Sequence, residues 1–294
     1  MNRLTLIVSG SLLLSLWSCQ EHVPAANPDP FSWNCSYDGL VLPDAEGTLF
    51  IIGGGSRPLE LMDGVVQRLP SKDALVIVLP MASSEPDTSL HYGIKPLVEL
   101  GCTNVHGMNL QPGTYGEAQL DSIRQAKGIY LCGGDQARFM AVASGSIQEA
   151  IQLAFKNGAI IAGSSAGAAM MSQVMITGDQ IKEPDYESTF SRIETDNAIY
   201  GEGLGLLQQA IIDQHFIERS RYNRALTALH DHPGLPIFGI GESTALVIEP
   251  HAISIEGAGQ VVLFHPNSGK VTANGLIHFD QLRLDFYVTG DHIP

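Results

Sequence analysis

Basic residues are scarce in this sequence, which has 16 Lys and Arg against 31 Asp and Glu. The formal net charge of -15 argues against nucleic acid or an anionic membrane face as a partner, because both need positive protein surface. Charged residues of either sign make up only 16% of the 294 residues, whereas hydrophobic residues make up 44%. Such a chain can bury one large core, so a single globular domain is expected from residue 48 to residue 294.

Cysteine and metal-binding motifs are also sparse. Three of the four cysteines lie beyond the first 19 residues, and they are Cys35, Cys102 and Cys132. Because an odd number cannot form a complete set of disulfides, each is expected to be a small buried or tolerated residue. The His and Asp residues lack the spacing of zinc motifs such as H-E-x-x-H, and we expect no metal and no other cofactor.

A hydrophobic run long enough to cross a membrane is missing, but a shorter one lies at the N-terminus. Arg3 supplies a positive charge, Ser18 precedes Cys19, and the apolar stretch between is LTLIVSGSLLLSLW. The stretch is shorter than the roughly 20 residues of a membrane span and resembles a bacterial lipoprotein signal. We predict a signal peptide at residues 1–18, a lipid on Cys19, and a tether and entry loop at residues 19–47. The protein would then be exported and held on a membrane, periplasmic or at the cell surface, by that lipid alone. A plain secretory signal is the alternative.

Short apolar runs alternate with helical patterns through most of the chain. Continuous apolar runs are typical of strands buried on both faces, and they are ALVIVLP, GIYLCGG, GAIIAG and QAIIDQ. Apolar residues three and four apart are typical of amphipathic helices, and they occur in RPLELMDGVVQRL, GEAQLDSIRQA and SIQEAIQLAFKNG. The alternation predicts a three-layer α/β fold, with a mainly parallel sheet and helices on both faces. Strand-like runs after Pro236, such as IFGIGESTALVIE, predict a β-rich C-terminal end that forms the far edge of the sheet and a cap.

The segment IIAGSSAGAAMMS joins one of these strands to a helix through very small residues. Its Gly163-x-Ser165-x-Gly167 core has the spacing of a nucleophile elbow. The two glycines remove Cβ atoms that would collide where the strand and the helix pack closely. The serine is then forced into a strained, exposed position beside a helix N-terminus, whose N–H groups favour developing negative charge. A tight turn of small residues, used for packing alone, is the alternative.

Two strand ends supply groups that could activate this serine. His215 lies just past QAIIDQ, and Glu242 lies at the start of another strand in FGIGESTALV. Because the carboxyl ends of parallel strands converge at one edge of a sheet, both are expected beside Ser165. An imidazole takes the proton of a serine nucleophile, and a carboxylate holds that imidazole in the required tautomer. The chain order Ser, His, Glu differs from that of α/β-hydrolases and argues against a lipase or esterase of that fold.

Four separated segments together resemble the cyanophycinases, and they are GSSAGAAMMS, LCGGDQARF, DQHFIERSRYNRAL and GIGESTALVIE. The cyanophycinases are members of a serine peptidase family that also holds aspartyl dipeptidases. Their fold is similar to that of class I glutamine amidotransferases, a flavodoxin-like arrangement. The resemblance runs from Gly47 to His265. It implies a catalytic triad of Ser165, His215 and Glu242, with no metal.

Three arginines lie near the start of a predicted helix, where cations oppose the helix macrodipole, and they are Arg219, Arg221 and Arg224. In an acidic chain with few arginines, they suggest an anion site that pairs with substrate carboxylates. A solvated helix face, paired with Glu218 and Asp231, is the alternative. The resemblance favours the first interpretation, because it implies that these arginines belong to the substrate site.

The resemblance also assigns Gln136, Asp213 and Gln214 to substrate-binding positions. The segment GGDQ, which contains Gln136, is itself a glycine turn after a strand. We predict that the backbone N–H groups of Gly134 and Ala166 form the oxyanion hole.

Cyanophycin is a polyaspartate backbone with arginine joined through each side-chain carboxyl group. The resemblance implies hydrolysis of this polymer, through an acyl-enzyme on Ser165, to β-aspartyl-arginine dipeptides. It is also consistent with a homodimer. One alternative is an aspartyl or isoaspartyl dipeptidase of the same family, and another is a lipid-anchored binding protein that captures without cleaving. A glutaminase-type amidotransferase is disfavoured, because that chemistry uses cysteine where Ser165 stands.

Overall fold

The computed structural model describes residues 45–185 and 189–293. The predicted signal peptide (1–18), Cys19, Cys35 and the predicted tether up to residue 44 lie outside the described residues, so export and lipidation stay predictions. The helices of the described residues are α1 (Leu59–Gln67), α2 (Pro86–Glu99), α3 (Glu117–Gln125), α4 (Gln136–Ala143), α5 (Ser146–Lys156), α6 (Ala166–Ala169) and α7 (Tyr222–Asp231). None of these helices has the length and hydropathy that crossing a membrane requires.

The strands are short, as expected for buried apolar runs bounded by turns. They are β1 (Thr48–Ile52), β2 (Val76–Leu79), β3 (Val105–Gly107), β4 (Gly128–Leu131), β5 (Ile160–Ser164), β6 (Val174–Gln180), β7 (Ala198–Glu202), β8 (Ile211–Asp213), β9 (Ile237–Ile240), β10 (Thr244–Glu249), β11 (Ala252–Gly257), β12 (Gln260–Phe264), β13 (Lys270–Val271), β14 (Ile277–His278), β15 (Leu284–Val288) and β16 (His292–Ile293). The pairs β6-β7 and β13-β14 form two small antiparallel ribbons.

Eight strands form the central sheet, in the order β16-β11-β10-β1-β5-β4-β2-β3. The five strands from β1 to β3 in this order run parallel to their neighbours, with helices in the connections between them. Strands β10, β11 and β16 extend the sheet antiparallel beyond β1. The mainly parallel sheet and its C-terminal far edge, both predicted from the sequence, are therefore confirmed.

Side chains of the central strands alternate between two cores, one on each face of the sheet. Leu49 and Ile51 of β1 lie in one core, together with apolar residues of α3 and α5. Phe50 and Ile52 lie in the other core, together with residues of α1 and α2. Since strand side chains alternate with a period of two, a strand buried on both faces must be apolar throughout. The alternation confirms the predicted three layers.

The cysteines within the described chain are buried and free. Cys102 and Cys132 both lie in the core that contains α1 and α2. Burial raises the pKa of both thiols, which keeps them protonated and unreactive. The prediction that they are small buried residues is confirmed for these two.

A second sheet of four strands has the order β15-β12-β9-β8; three of them belong to the predicted β-rich C-terminal end, but the presence of β8 in this sheet was not expected from the sequence. The run QAIIDQ was assigned to the main parallel sheet, but its strand β8 pairs instead with β9, and β9 pairs with β12. Helix α7 covers this second sheet with Ala225, Ala228 and Leu229. The correction matters for the site, because β8 leads directly to His215.

The run IFGIGESTALVIE was predicted as one strand but forms two strands in different sheets. Strand β9 ends in the second sheet at Ile240, and β10 begins in the central sheet at Thr244. The link between them turns at Ser243, whose φ of 53° is unusual for a residue other than glycine. Glu242 therefore lies in the link where the chain crosses from one sheet to the other.

Candidate active site

Ser165 occupies the sharp turn between β5 and α6. Its φ of 58° and ψ of -115° are strained values for a side chain with a Cβ atom. A Cβ on Gly163 would lie 2.5 Å from the Gly167 carbonyl oxygen, and a Cβ on Gly167 would lie 2.1 Å from that of Leu131. The predicted reason for both glycines, close packing of strand and helix, is confirmed.

The structure brings Ser165, His215 and Glu242 into one hydrogen-bonded series. The Oγ of Ser165 lies 2.8 Å from Nε2 of His215, and Nδ1 of His215 lies 2.5 Å from Oε1 of Glu242. When Nδ1 carries the proton and its N–H donates a hydrogen bond to the carboxylate, Nε2 is free to accept the serine proton. The three side chains thus have the geometry that the sequence predicts for them.

Backbone contacts fix the two partners of the serine. His215 has a φ of 47°, and its N–H donates to the Gly53 carbonyl oxygen at 2.6 Å. The N–H of Glu242 donates to Oε2 of Glu218 at 3.0 Å, and the N–H of Ser243 donates to the Gly54 carbonyl oxygen at 2.9 Å. The loop that follows β1 therefore holds both segments in place.

Two glycines of that loop make room for the imidazole and the carboxylate. A Cβ on Gly54 would lie 2.3 Å from Cε1 of His215, and a Cβ on Gly55 would lie 2.6 Å from Oε2 of Glu242. Sequence reasoning did not identify these residues as part of the site. Three consecutive glycines directly after a buried strand, in IIGGGS, were the available signal.

The predicted oxyanion donors are the backbone N–H groups of Ala166, next to the nucleophile, and of Gly134, in the turn after β4. Ala166 begins α6, and its backbone N–H has no acceptor among the described residues. Because α6 has only four residues, its dipole is small, and it can stabilise an oxyanion mainly through the local backbone N–H. A Cβ on Gly133 would lie 3.4 Å from Cβ of Ser165, which places the Gly133–Gly134 turn beside the nucleophile. The roles of Gly134 and Ala166 as donors stay predictions.

The predicted substrate residue Gln136 is buried at the start of α4. Its side-chain amide donates to the carbonyl oxygens of Ile176 and Thr177, at 2.9 Å and 2.7 Å. In the structure this residue therefore connects α4 to β6. A substrate-binding role for Gln136 stays a prediction.

The three predicted arginines have different environments. Arg224 is buried and holds both carboxylate oxygens of the buried Asp213, and Arg221 donates to the backbone and side-chain oxygens of Gln214 at 2.6 Å and 2.8 Å. These contacts are internal, because both arginines pack against the strand β8 rather than facing solvent. The predicted partners were either substrate carboxylates or Glu218 and Asp231. Arg219 is exposed, and no carboxylate of the described residues pairs with it. Of the three, Arg219 keeps its guanidinium open to a ligand, and the substrate roles of the others stay predictions.

A cavity of about 360 Å³ opens in front of Ser165 and His215. Arg57, from the loop after β1, and Glu85, directly before α2, also line it. None of the six predicted substrate-binding residues is among the residues that line this cavity. Sequence reasoning missed both charged residues, although Arg57 stands out as a basic residue directly after the glycine run.

The pKa of the His215 imidazole is lowered from the usual 6.5, chiefly because burial penalises its charged form. The hydrogen bond that the imidazole donates to Glu242 opposes this shift, whereas the positive charges of Arg219 and Arg221 add to it. A general base must be neutral, and a lowered pKa keeps the imidazole neutral below pH 6.5. Activity is therefore expected to fall on the acid side as pH drops through this lowered pKa.

Arg219→Gln is expected to move the acid limb of the kcat/KM profile to higher pH. Removing the positive charge makes protonation of His215 easier, so its pKa rises. Measuring peptide hydrolysis across pH for wild type and for the variant gives the acid limb of each protein. Arg138→Gln removes the same charge from an exposed position on α4 and should leave the limb in place. An unchanged limb, or a shift to lower pH, in Arg219→Gln would contradict the electrostatic role given to this residue.

Serine-type hydrolases have this arrangement, in which a serine hydroxyl is hydrogen-bonded to an imidazole and the imidazole is hydrogen-bonded to a carboxylate. Peptidase family S51 matches this chain over residues 49–255. The chain belongs to peptidase family S51, and it is a cyanophycinase-like peptidase.

Individual relatives agree with this assignment. The cyanophycinase of Trichormus variabilis is 31% identical over 264 residues, which cover 85% of this chain and 86% of that protein. The cyanophycinase of Geminocystis herdmanii is 29% identical over 258 residues, which cover 83% of this chain and 92% of that protein. The crystal structure of a peptidase from an acI-B1 actinobacterium matches the fold with a TM-score of 0.63 and 17% identity, over 85% of this chain and 97% of that chain.

Proposed function

We propose that this peptidase hydrolyses cyanophycin to β-aspartyl-arginine dipeptides through an acyl-enzyme. The observation that carries the proposal is the hydrogen-bonded series of Ser165, His215 and Glu242 beside an open cavity. The choice of substrate is supported by the relatives from Trichormus variabilis and Geminocystis herdmanii, which are cyanophycinases.

In the acylation half of the reaction, Oγ of Ser165 attacks the backbone carbonyl carbon after an aspartyl residue, while Nε2 of His215 accepts the hydroxyl proton. The oxyanion of the tetrahedral intermediate accepts hydrogen bonds from backbone N–H groups, with that of Ala166 our proposed donor. The C–N bond then breaks as His215 passes its proton to the leaving amine. The acyl part of the substrate remains as an ester on Ser165.

Water completes the reaction. His215 removes a proton from a water molecule, the resulting hydroxide attacks the ester carbonyl, and the C–O bond to Ser165 breaks as His215 returns the proton to Oγ. Glu242 accepts the Nδ1–H throughout, which holds the tautomer and stabilises the imidazolium that forms in each half. The strained backbone at Ser165 keeps Oγ within reach of Nε2 before substrate binds.

Mass spectrometry of digests tests the substrate. Cyanophycin, unsubstituted polyaspartate and short aspartyl dipeptides are each incubated with the protein, and the main product expected is β-aspartyl-arginine from cyanophycin. Little action is expected on polyaspartate or on ordinary protein. Rapid cleavage of free aspartyl dipeptides with none of the polymer would contradict the proposal and favour the dipeptidase alternative. Binding of the polymer without any product would favour the binding protein.

A further inference from the structure

Arg57 is held rigidly at the edge of the active-site cavity. Its Nη1 donates a hydrogen bond to the hydroxyl of Tyr130, and its guanidinium carbon lies 5.6 Å from the centroid of the same ring. Tyr130 is itself buried on β4, which lies between β5 and β2 in the central sheet. An arginine that is half-buried and stacked on a fixed ring loses little further freedom when a ligand binds.

The positive charge of Arg57 is not neutralised inside the protein. Among the described residues no carboxylate pairs with it, whereas Arg68, Arg124 and Arg224 each form an ion pair with an Asp or Glu. Arg219 also lacks such a partner in the described part of the chain, but of the two arginines only Arg57 lines the cavity. Arg57 lines the cavity that also contains Ser165, where an anion could accept hydrogen bonds from its remaining N–H groups.

Glu85 supplies the opposite charge to the same cavity. It is exposed, directly precedes Pro86 at the start of α2, and its backbone N–H donates to Oγ of Ser83 at 3.0 Å. No lysine, arginine or histidine of the described chain forms an ion pair with its carboxylate. The cavity in front of the nucleophile thus carries one unpaired cation and one unpaired anion.

We infer that Arg57 and Glu85 are specificity-determining residues, with Arg57 binding a carboxylate of the substrate and Glu85 binding a cationic group of the same unit. The inference rests on the proposed function, because a β-aspartyl-arginine unit carries the free α-carboxylate and the guanidinium of its arginine. The planar fork of Arg57 suits a carboxylate, and the carboxylate of Glu85 suits a guanidinium. A volume of about 360 Å³ is at the small end for ligand cavities and suits a single unit.

Matched synthetic oligomers test each half of the inference. One carries β-aspartyl-arginine units, a second has agmatine in place of arginine and so lacks the carboxylate, and a third has citrulline and so lacks the cation. Wild type should prefer the arginine oligomer over both. Arg57→Gln should raise KM for the arginine oligomer about ten- to a hundredfold, leave KM for the agmatine oligomer unchanged, and so lose that preference. Glu85→Gln should lose the preference over citrulline, with a smaller effect of about two- to fivefold, because Glu85 is exposed.

Control variants separate recognition from folding and from net charge. Arg138→Gln and Asp87→Asn remove the same charges from exposed positions that do not line the cavity, and both should keep the wild-type preferences. Arg57→Lys keeps the charge but not the fork, so its KM for the arginine oligomer should lie between those of wild type and Arg57→Gln. Equal rates of Ser165 labelling by a small serine-directed phosphonate would show that each variant has an intact nucleophile.

Two kinds of failure can be told apart. If wild type cleaves the arginine oligomer and Arg57→Gln keeps its preference over the agmatine oligomer, the inference is overturned while the proposed function stands. If wild type cleaves none of the oligomers, the proposed function fails. The inference is then decided without turnover, by whether β-aspartyl-arginine slows phosphonate labelling of wild type more than its agmatine counterpart does. Equal protection by the two dipeptides would overturn it.

Discussion

Purified Ser165→Ala protein will lose peptide hydrolysis by a factor on the order of 10⁶, and by at least about 10⁴. The hydroxyl is the only group of the series that can form the ester, so without it the imidazole and the carboxylate have no nucleophile to activate. The hydroxyl sits at a strained turn beside an open cavity, and its loss should leave the fold intact. Initial rates on cyanophycin measure the loss of hydrolysis. Phosphonate labelling tests the loss of the nucleophile, and the melting temperature tests the fold.

Ser122→Ala is the matched control for this variant. It removes a hydroxyl that donates a hydrogen bond to the Ala118 carbonyl oxygen on α3, and Ser122 does not line the cavity. Its activity should equal that of wild type within about twofold, as expected for a surface change. Activity of Ser165→Ala within tenfold of wild type would rule out the acyl-enzyme mechanism.

Gly54→Ala will also cause a large loss of activity, although it adds only one methyl group. The new Cβ would lie 2.3 Å from Cε1 and 2.4 Å from Nε2 of His215, so the imidazole must move away from the serine. General-base catalysis depends on that contact, and a loss of about 10²- to 10⁴-fold in kcat is expected. The φ of +118° at Gly54 adds backbone strain to the clash. Steady-state kinetics on the same substrate measure the loss.

Gly113→Ala separates backbone strain from the clash. Gly113 also has a positive φ, of +77°, but an added Cβ there meets nothing within 4 Å. This variant should lose a little stability and keep its activity. If Gly54→Ala loses no more activity than Gly113→Ala, the close approach of the β1 loop to the imidazole has no catalytic importance.

The sequence allowed the nucleophile turn and the order of its partners to be predicted because these signals are local. Gly163, Ser165 and Gly167 lie within five residues, and their packing reasons depend only on the strand and helix that they join. Buried parallel strands are similarly visible as unbroken apolar runs. The positions of His215 and Glu242 beside Ser165 agree with the prediction, but the reason for it was only partly right, because β8 belongs to the second sheet and Glu242 lies in a link between the sheets.

Features set by distant pairings could not be read from the chain in the same way. Strand β8 has the apolar composition of a central strand, and only its pairing with β9 shows that it belongs to the second sheet. The internal pairing of Arg224 with Asp213 likewise depends on α7 packing against that strand. Arg57 and Glu85 follow different strands, and they line one cavity only because the loops after β1 and β2 lie at the same edge of the sheet.

The division of the active site between two sheets has a consequence during synthesis. Ser165 directly follows β5 of the central sheet, whereas His215 follows β8 of the second sheet, 50 residues later, and Glu242 lies another 27 residues on, in the link to β10. These contacts join residues that are far apart in the sequence, and such contacts slow folding because the loop-closure entropy must be overcome first. A nascent chain therefore carries its serine long before the base and the acid exist. Hydrolytic competence arises only when both sheets have formed and docked, so a partly made chain lacks the complete hydrogen-bonded series.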